Sequence, residues 1–234
     1  MPAPRLPGRS DLRLLVRHPK TVWRVAKGYA RVLCGERRPL RGAEFCVTYR
    51  CQLNCAHCLT KPLIDGQRKE MSTTQAIEAM RGLGRAGAVF VNITGGEALL
   101  RRDLFDILHG VTDSGMLVTL ASNGFLIDDS VARELKRCGV SIVTLSLDGP
   151  TAAVHDASRG RAGAFDALMR AVDHLKSEDI PIWFTTILTR KNAEDGSIFD
   201  TAELAKNLGA TLTLNWTYAI GRHWSKKERA RLRR

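Results

Sequence analysis

Apolar residues gather in six short runs: EFCVTY at 44–49, AVFVNIT at 88–94, MLVTLAS at 116–122, SIVTLSL at 141–147, IPIWFTTIL at 180–188 and ATLTLNW at 210–216. Their lengths and β-branched content predict strands. The stretches between them have helical periodicity and helix-starting residues. Ser72-Thr73 opens the first, with Ala76, Ile77, Met80 and Leu83 on one face. Asp103 opens the second, Asp128 and Asp129 the third, the fourth runs from about Gly163 to Ser177, and Ser197 caps the fifth. Six strands separated by five helices imply an α/β fold with parallel pairing, because a right-handed crossover helix joins neighbouring parallel strands. The runs are apolar rather than alternating, which predicts strands covered on both faces. In such sheets the ligand sits at the carboxyl ends of the strands.

A further helix is predicted ahead of the first strand, from Pro19 to Leu33. At about 100° per residue, Lys20, Arg24, Lys27 and Arg31 form a narrow basic stripe, and Val22, Trp23, Val25, Ala26, Tyr29, Val32 and Leu33 cover the other side. The simpler expectation packs the apolar side on the domain and leaves the basic stripe in water. The alternative lays residues 19–33 on an anionic membrane surface or an acidic partner.

Composition changes this picture only a little. The 234 residues, 44% apolar and 26% charged, suit one globular domain or two small ones, and no apolar run approaches the roughly 18 residues of a membrane-spanning helix. The net charge of +12 looks like an invitation to nucleic acid, but it is unevenly placed. Residues 1–50 carry +9 and residues 222–234 carry +6, which leaves the intervening 171 residues at −3. The expected division is a basic N-terminal segment (1–41), a core domain (42–221) and a basic tail (222–234). With no secretory pattern at the N-terminus, a cytoplasmic location is the default.

Three of the six cysteines fall within eight residues, as Cys51, Cys55 and Cys58 in CQLNCAHC. Without an export signal, such a group reads as metal binding before it reads as disulfides. Thiolates suit zinc or an iron–sulfur cluster. No second Cys/His pair at zinc-site spacing is present, so a site with three protein ligands and one open position is expected. The residues after the other strands are equally site-like: Gly95-Gly96-Glu97, Ser122-Asn123-Gly124, and Ser146 with Asp148-Gly149. Each alone is also an ordinary turn sequence. Together they converge on one end of the predicted sheet.

These residues resemble the radical S-adenosylmethionine (SAM) enzymes: Cys51-x3-Cys55-x2-Cys58, then Gly-Gly-Glu, Ser-Asn-Gly and the Ser146-Leu-Asp-Gly-Pro…His155-Asp…Arg159-Gly segment, over residues from about 42 to 221. The resemblance implies a partial (β/α)6 TIM-like barrel preceded here by the amphipathic helix. It implies that Cys51, Cys55 and Cys58 hold a [4Fe–4S] cluster whose fourth iron is chelated by SAM. Reductive cleavage of SAM then gives a 5′-deoxyadenosyl radical that abstracts hydrogen from a substrate, with electrons from a donor such as flavodoxin or ferredoxin. The cofactors supply the reactivity, so no catalytic side chain is expected.

Carried over position by position, Gly95, Gly96 and Glu97 would receive the methionine amino group, and His57 would stand beside the adenine, where the family usually has an aromatic residue. Ser146 and Asp148 would recognise the ribose, and Arg159 would pair with the methionine carboxylate, with Arg161 nearly as well placed. Asn123 is assigned by position, and His155 is read as ordering its loop. The sequence ends soon after the sixth strand with no cysteine beyond Cys138, so the auxiliary clusters of peptide-modifying members are expected to be absent, in a minimal member or a fragment. A cluster-binding relative without activity, and a zinc- or nucleic-acid-binding module, are the competing expectations. The substrate is left open among small molecules, lipids and peptides, the basic helix being the one hint of a lipid.

Overall fold

The computed structural model describes residues 19–35, 40–58, 60 and 69–216. Six parallel strands form one sheet in sequence order: β1 Gly42–Thr48, β2 Phe90–Gly95, β3 Leu117–Ser122, β4 Ile142–Ser146, β5 Ile182–Leu188 and β6 Thr211–Trp216. The helices are α1 Pro19–Leu33, α2 Thr73–Arg85, α3 Leu104–Thr112, α4 Asp129–Arg137, α5 Ala152–Arg159, α6 Ala164–Ser177, α7 Arg190–Glu194 and α8 Ser197–Asn207. Consecutive strands pair and β1 has no partner in β6, so the βα units form a partial barrel. The expected tail at 222–234, together with residues 1–18 and 217–221 of the expected divisions, lies outside the described residues.

Strand burial alternates, most clearly in β3, where Val118, Leu120 and Ser122 are buried and the residues between them are not. The buried set, including Val91, Ile93, Val143, Leu145 and Phe184, packs with Met80, Ile107, Leu108, Leu135, Leu168 and Leu175 of the helices. Each such side chain contributes about 1.5–3 kcal/mol by leaving water. Coverage of both faces was expected, and only the helix side is sealed. The other face carries Glu44, Asn92 and Thr119 in a hydrogen-bonded row, with Asn92 Nδ2 donating to Glu44 Oε1 at 3.2 Å and Thr119 Oγ1 to Asn92 Oδ1 at 2.9 Å. Polar residues suit the inside of an incomplete barrel, which water can reach.

Side-chain caps start three of the described helices, α2, α4 and α7. Ser72 and Gln75 form a reciprocal capping box on α2, and Asp128 Oδ1 accepts from Val131 N at 2.9 Å on α4. Two starts differ from expectation. Asp103 makes no side-chain cap on α3; its carboxylate is held by Arg101 at 2.8 and 2.9 Å and by Thr73 at 2.6 Å, and the Arg101 bonds in particular hold its pKa down to about 2. Ser197 is the first residue of α8 rather than its cap; Gly196, at φ +75°, occupies that position, and Asp195 Oδ1 accepts from Ser197 N at 3.0 Å. Helices α5 and α7 were not expected.

The largest departure is α1. Its apolar side was expected against the domain, yet Trp23 is 71% exposed, Tyr29 64% and Leu33 87%. The helix docks instead through Thr21, Arg24 and Gly28. Arg24 donates to Ala88 O at 3.2 and 3.0 Å, to Ser114 O at 3.0 Å and to Gly84 O, and buried Thr21 donates to Gly115 O at 3.1 Å. Those carbonyls precede β2 and β3, so α1 lies at the amino-terminal end of the sheet. No described helix is long and apolar enough to cross a membrane.

Candidate active site

The cysteine loop leaves β1 at the carboxyl end of the sheet. Buried Leu53 anchors it, and the end of α5 clamps it: Asn54 N donates to Arg159 O at 3.2 Å, Ala56 N to Ser158 O at 3.1 Å, and Arg161 Nη1 to Gln52 O at 3.2 Å. Each thiol has its own polar neighbour. Leu53 N (3.4 Å) and Asn123 Nδ2 (3.9 Å) face Cys51 Sγ, Arg159 Nη1 faces Cys55 Sγ at 3.9 Å, and Thr60 Oγ1 lies 3.3 Å from Cys58 Sγ. Burial pushes the Cys51 and Cys55 thiols above the ordinary range, opposed at Cys55 by Arg159.

Among the described residues, the one trio of His, Cys, Asp or Glu ligand atoms within 4.8 Å of one another is His109, Glu134 and Cys138. It lies on α3 and α4, with Arg137 also gripping Glu134 at 2.6 and 2.8 Å. The three loop thiols are a set of soft donors, and in a polynuclear cluster each thiolate would bind its own iron.

Gly95 and Gly96 let backbone approach backbone. A Cβ on Gly95 would lie 2.4 Å from Thr48 O, and one on Gly96 2.4 Å from Arg50 O. The close approach expected toward a ligand is in this structure an approach to the end of β1, sealed by Gly96 N to Thr48 O and Glu97 N to Arg50 O, both 2.8 Å. Glu97 is fully buried. Its carboxylate accepts from Leu99 N (3.2 Å), Ser122 Oγ (3.0 Å) and Asn123 N (2.8 Å), and burial raises its pKa against those bonds. It therefore ties the end of β2 to the end of β3, and so sets Asn123 against Cys51.

Asp148, expected to meet a ribose, is a buried hub. Its Oδ2 lies 2.9 Å from Arg159 Nη2, 2.9 Å from Ser158 Oγ and 3.3 Å from His57 Nε2; its Oδ1 accepts from Ile187 N at 3.3 Å. Burial acts to raise the Asp148 pKa, but Arg159, His57 and Ser158 outweigh it and hold the carboxyl below its ordinary value. Arg159 is buried between Cys55 and Asp148, with Nε lacking a hydrogen-bond partner, whereas Arg161 stacks over Phe125 at 4.2 Å and reaches the loop only at Gln52 O. His155 orders its loop as expected, with Nδ1 accepting from Asp148 N at 3.2 Å and its pKa pushed down to about 4, by burial first. Ser146 ends β4, half-buried.

Beside the loop opens a cavity of about 640 Å³, lined among others by Ala56, His57, Asp148, Val154, Ile187 and Asn192. Its size falls within the range of small-molecule sites. The α5 and α7 residues in its wall were missed from sequence, because neither helix has an apolar stripe long enough to signal itself.

The sequence profile of the radical SAM superfamily matches residues 45–205. An AdoMet-dependent heme synthase of Methanosarcina barkeri is 35% identical over 164 residues, 70% of this chain and 46% of that protein. The mycofactocin maturase MftC of Mycobacterium ulcerans is 36% identical over 179 residues, 75% and 47% of the two chains. This chain thus spans about half the length of these relatives. Streptococcus suis SuiB bound to S-adenosylmethionine has the same fold, with TM-score 0.65 and 16% identity over 84% of this chain and 45% of SuiB.

Proposed function

Because this chain belongs to the radical SAM superfamily, we propose that Cys51, Cys55 and Cys58 hold a [4Fe–4S] cluster with one iron left for SAM, and that the protein is a radical SAM enzyme. The carrying observation is the set of three thiols on one loop at the carboxyl end of the sheet, adjoining a cavity of small-molecule size. When bound, the cluster and SAM supply reductive carbon–sulfur cleavage and hydrogen abstraction from the substrate.

The chain's own residues position and shield. Arg159 places a cation beside the Cys55 thiolate, easing the charge of the ligand set. His57, oriented by Asp148, forms the cavity wall where an adenine would lie. Gly95 and Gly96 offer backbone carbonyl acceptors to an amino group, with Glu97 acting through its hold on Asn123 rather than by its occupied carboxylate. Ser146 stands at the end of β4 for a ribose hydroxyl. A one-electron donor such as flavodoxin or ferredoxin supplies the reductant. The region shared with a heme synthase and with a mycofactocin maturase is one core, so it supports the cofactor chemistry and leaves the substrate class open.

Anaerobic reconstitution tests the reading. It should yield about four irons and four sulfides per chain and, with SAM and a strong reductant, release 5′-deoxyadenosine. Cys55→Ala should lose both the cluster absorbance and the product. Zinc in place of iron would overturn the cluster; a full cluster that releases no 5′-deoxyadenosine would leave a binding protein without activity.

A further inference from the structure

The orientation of α1 has no explanation within the cofactor site. A helix with one apolar arc ordinarily turns it to the core. Here the docked side is Thr21, Arg24 and Gly28, and Arg24 reaches three backbone carbonyls that an apolar side chain could not satisfy. Anchoring by Arg24 fixes the rotation of the helix and turns Val22, Trp23, Ala26, Tyr29, Ala30 and Leu33 outward as one continuous exposed surface. Exposed Lys20, Lys27 and Arg31 border it, and Arg41 lies over the Tyr29 ring at 5.1 Å. No acidic residue occurs from 19 to 35.

We propose that α1 is a peripheral membrane helix that lays this arc on an anionic lipid surface. An apolar arc with basic borders is the pattern of interfacial helices, whose apolar side chains enter the acyl boundary while lysines meet lipid phosphates. Trp23 and Tyr29 are the amphipathic rings that favour this depth. The charge argues for lipid over a second copy of the chain, because two such faces packed together would oppose two basic borders with no acidic group on either helix. The placement also fixes an orientation. Helix α1 covers the amino-terminal end of the sheet and the cysteine loop lies at the other, so the bound protein presents its cavity to the aqueous side. The helix then serves to locate the protein and does not feed lipid into the site.

The test is co-sedimentation of the full-length, cluster-loaded chain with vesicles of phosphatidylcholine, with and without phosphatidylglycerol. Binding is expected to the anionic vesicles and to weaken at about 0.5 M salt. Trp23→Ser with Leu33→Ser changes no charge and touches neither Arg24 nor the cysteine loop, so cluster absorbance should stay at the wild-type level while vesicle affinity falls at least about tenfold. Wild-type binding with no loss in the double variant would assign adsorption to basic residues elsewhere and overturn the proposal. So would absence of binding, or a dimer in sedimentation velocity that the same double substitution dissociates.

Discussion

Gly96 sits where two turns meet, with Tyr49 O and Arg50 O at 2.5 and 2.4 Å from any Cβ it might carry. Both are backbone atoms and cannot swing aside. Gly96→Ala should therefore cost about 2 kcal/mol, read as a lowered urea midpoint, and should loosen the Cys51 loop that follows. His155 makes a different prediction. Its pKa falls from 6.5 in the unfolded chain to about 4 in the fold, so below pH 6.5 the unfolded chain binds the proton first. Stability from the neutral imidazole is present above pH 6.5 and is lost as pH falls toward 4, by at most about 3 kcal/mol. His155→Asn keeps an acceptor for Asp148 N but cannot titrate. Denaturation midpoints of the wild type should drop over that pH window more steeply than those of the variant, and parallel curves would refute the assignment. Of this only the ordering role of His155 was visible in the sequence, where Gly-Gly-Glu and Asp148 read as ligand contacts. Residue type announces a donor or acceptor but not its partner, and the carboxylates of Glu97 and Asp148 found theirs within the chain.

At the scale of elements, every strand lies within about two residues of its apolar run, because in each case the run ends at turn residues that the sheet cannot accommodate. The five crossover helices were legible from their periodicity, though only Ser72 and Asp128 cap theirs as expected. Helix α5 was not: AAVHDASR buries His155 and Arg159, a polar pair that hydropathy reads as loop. Yet its last turn holds the cysteine loop through Ser158 O and Arg159 O. Helix α1 shows a subtler failure. Periodicity found the helix and its two faces correctly, but nothing in an amphipathic pattern states which face docks when one arginine can satisfy several carbonyls. Arg24→Met decides this directly. It leaves the carbonyls of Gly84, Ala88 and Ser114 without that donor, and should cost about 2 kcal/mol and raise hydrogen exchange through residues 19–35. If the apolar side were the anchor, this change would leave exchange unaltered.

Across the whole molecule, the six cysteines sample distinct environments and together report on the architecture. Cys34 is exposed at the end of α1, Cys46 is exposed on β1, three thiols stand on the loop, and Cys138 is buried behind α4 with its pKa pushed up to about 12, by burial first and then by Glu134. A thiol reacts with an alkylating agent as thiolate and only where the reagent can reach it. With the cluster loaded, Cys34 and Cys46 should alkylate, while Cys51, Cys55 and Cys58 should be protected by iron. Chelation and oxidative removal of the cluster should release those three together, because their protection has one cause. Cys138 should resist in both states at neutral pH, since no loop opening exposes it, and should react only on global unfolding. Mass mapping of alkylated peptides reads all six at once. Modification of Cys138 in the folded, cluster-free chain would show that the helix layer opens when the loop does. Its continued protection would show that the barrel stands as a scaffold in its own right and that the metal organises only the carboxyl-end loops.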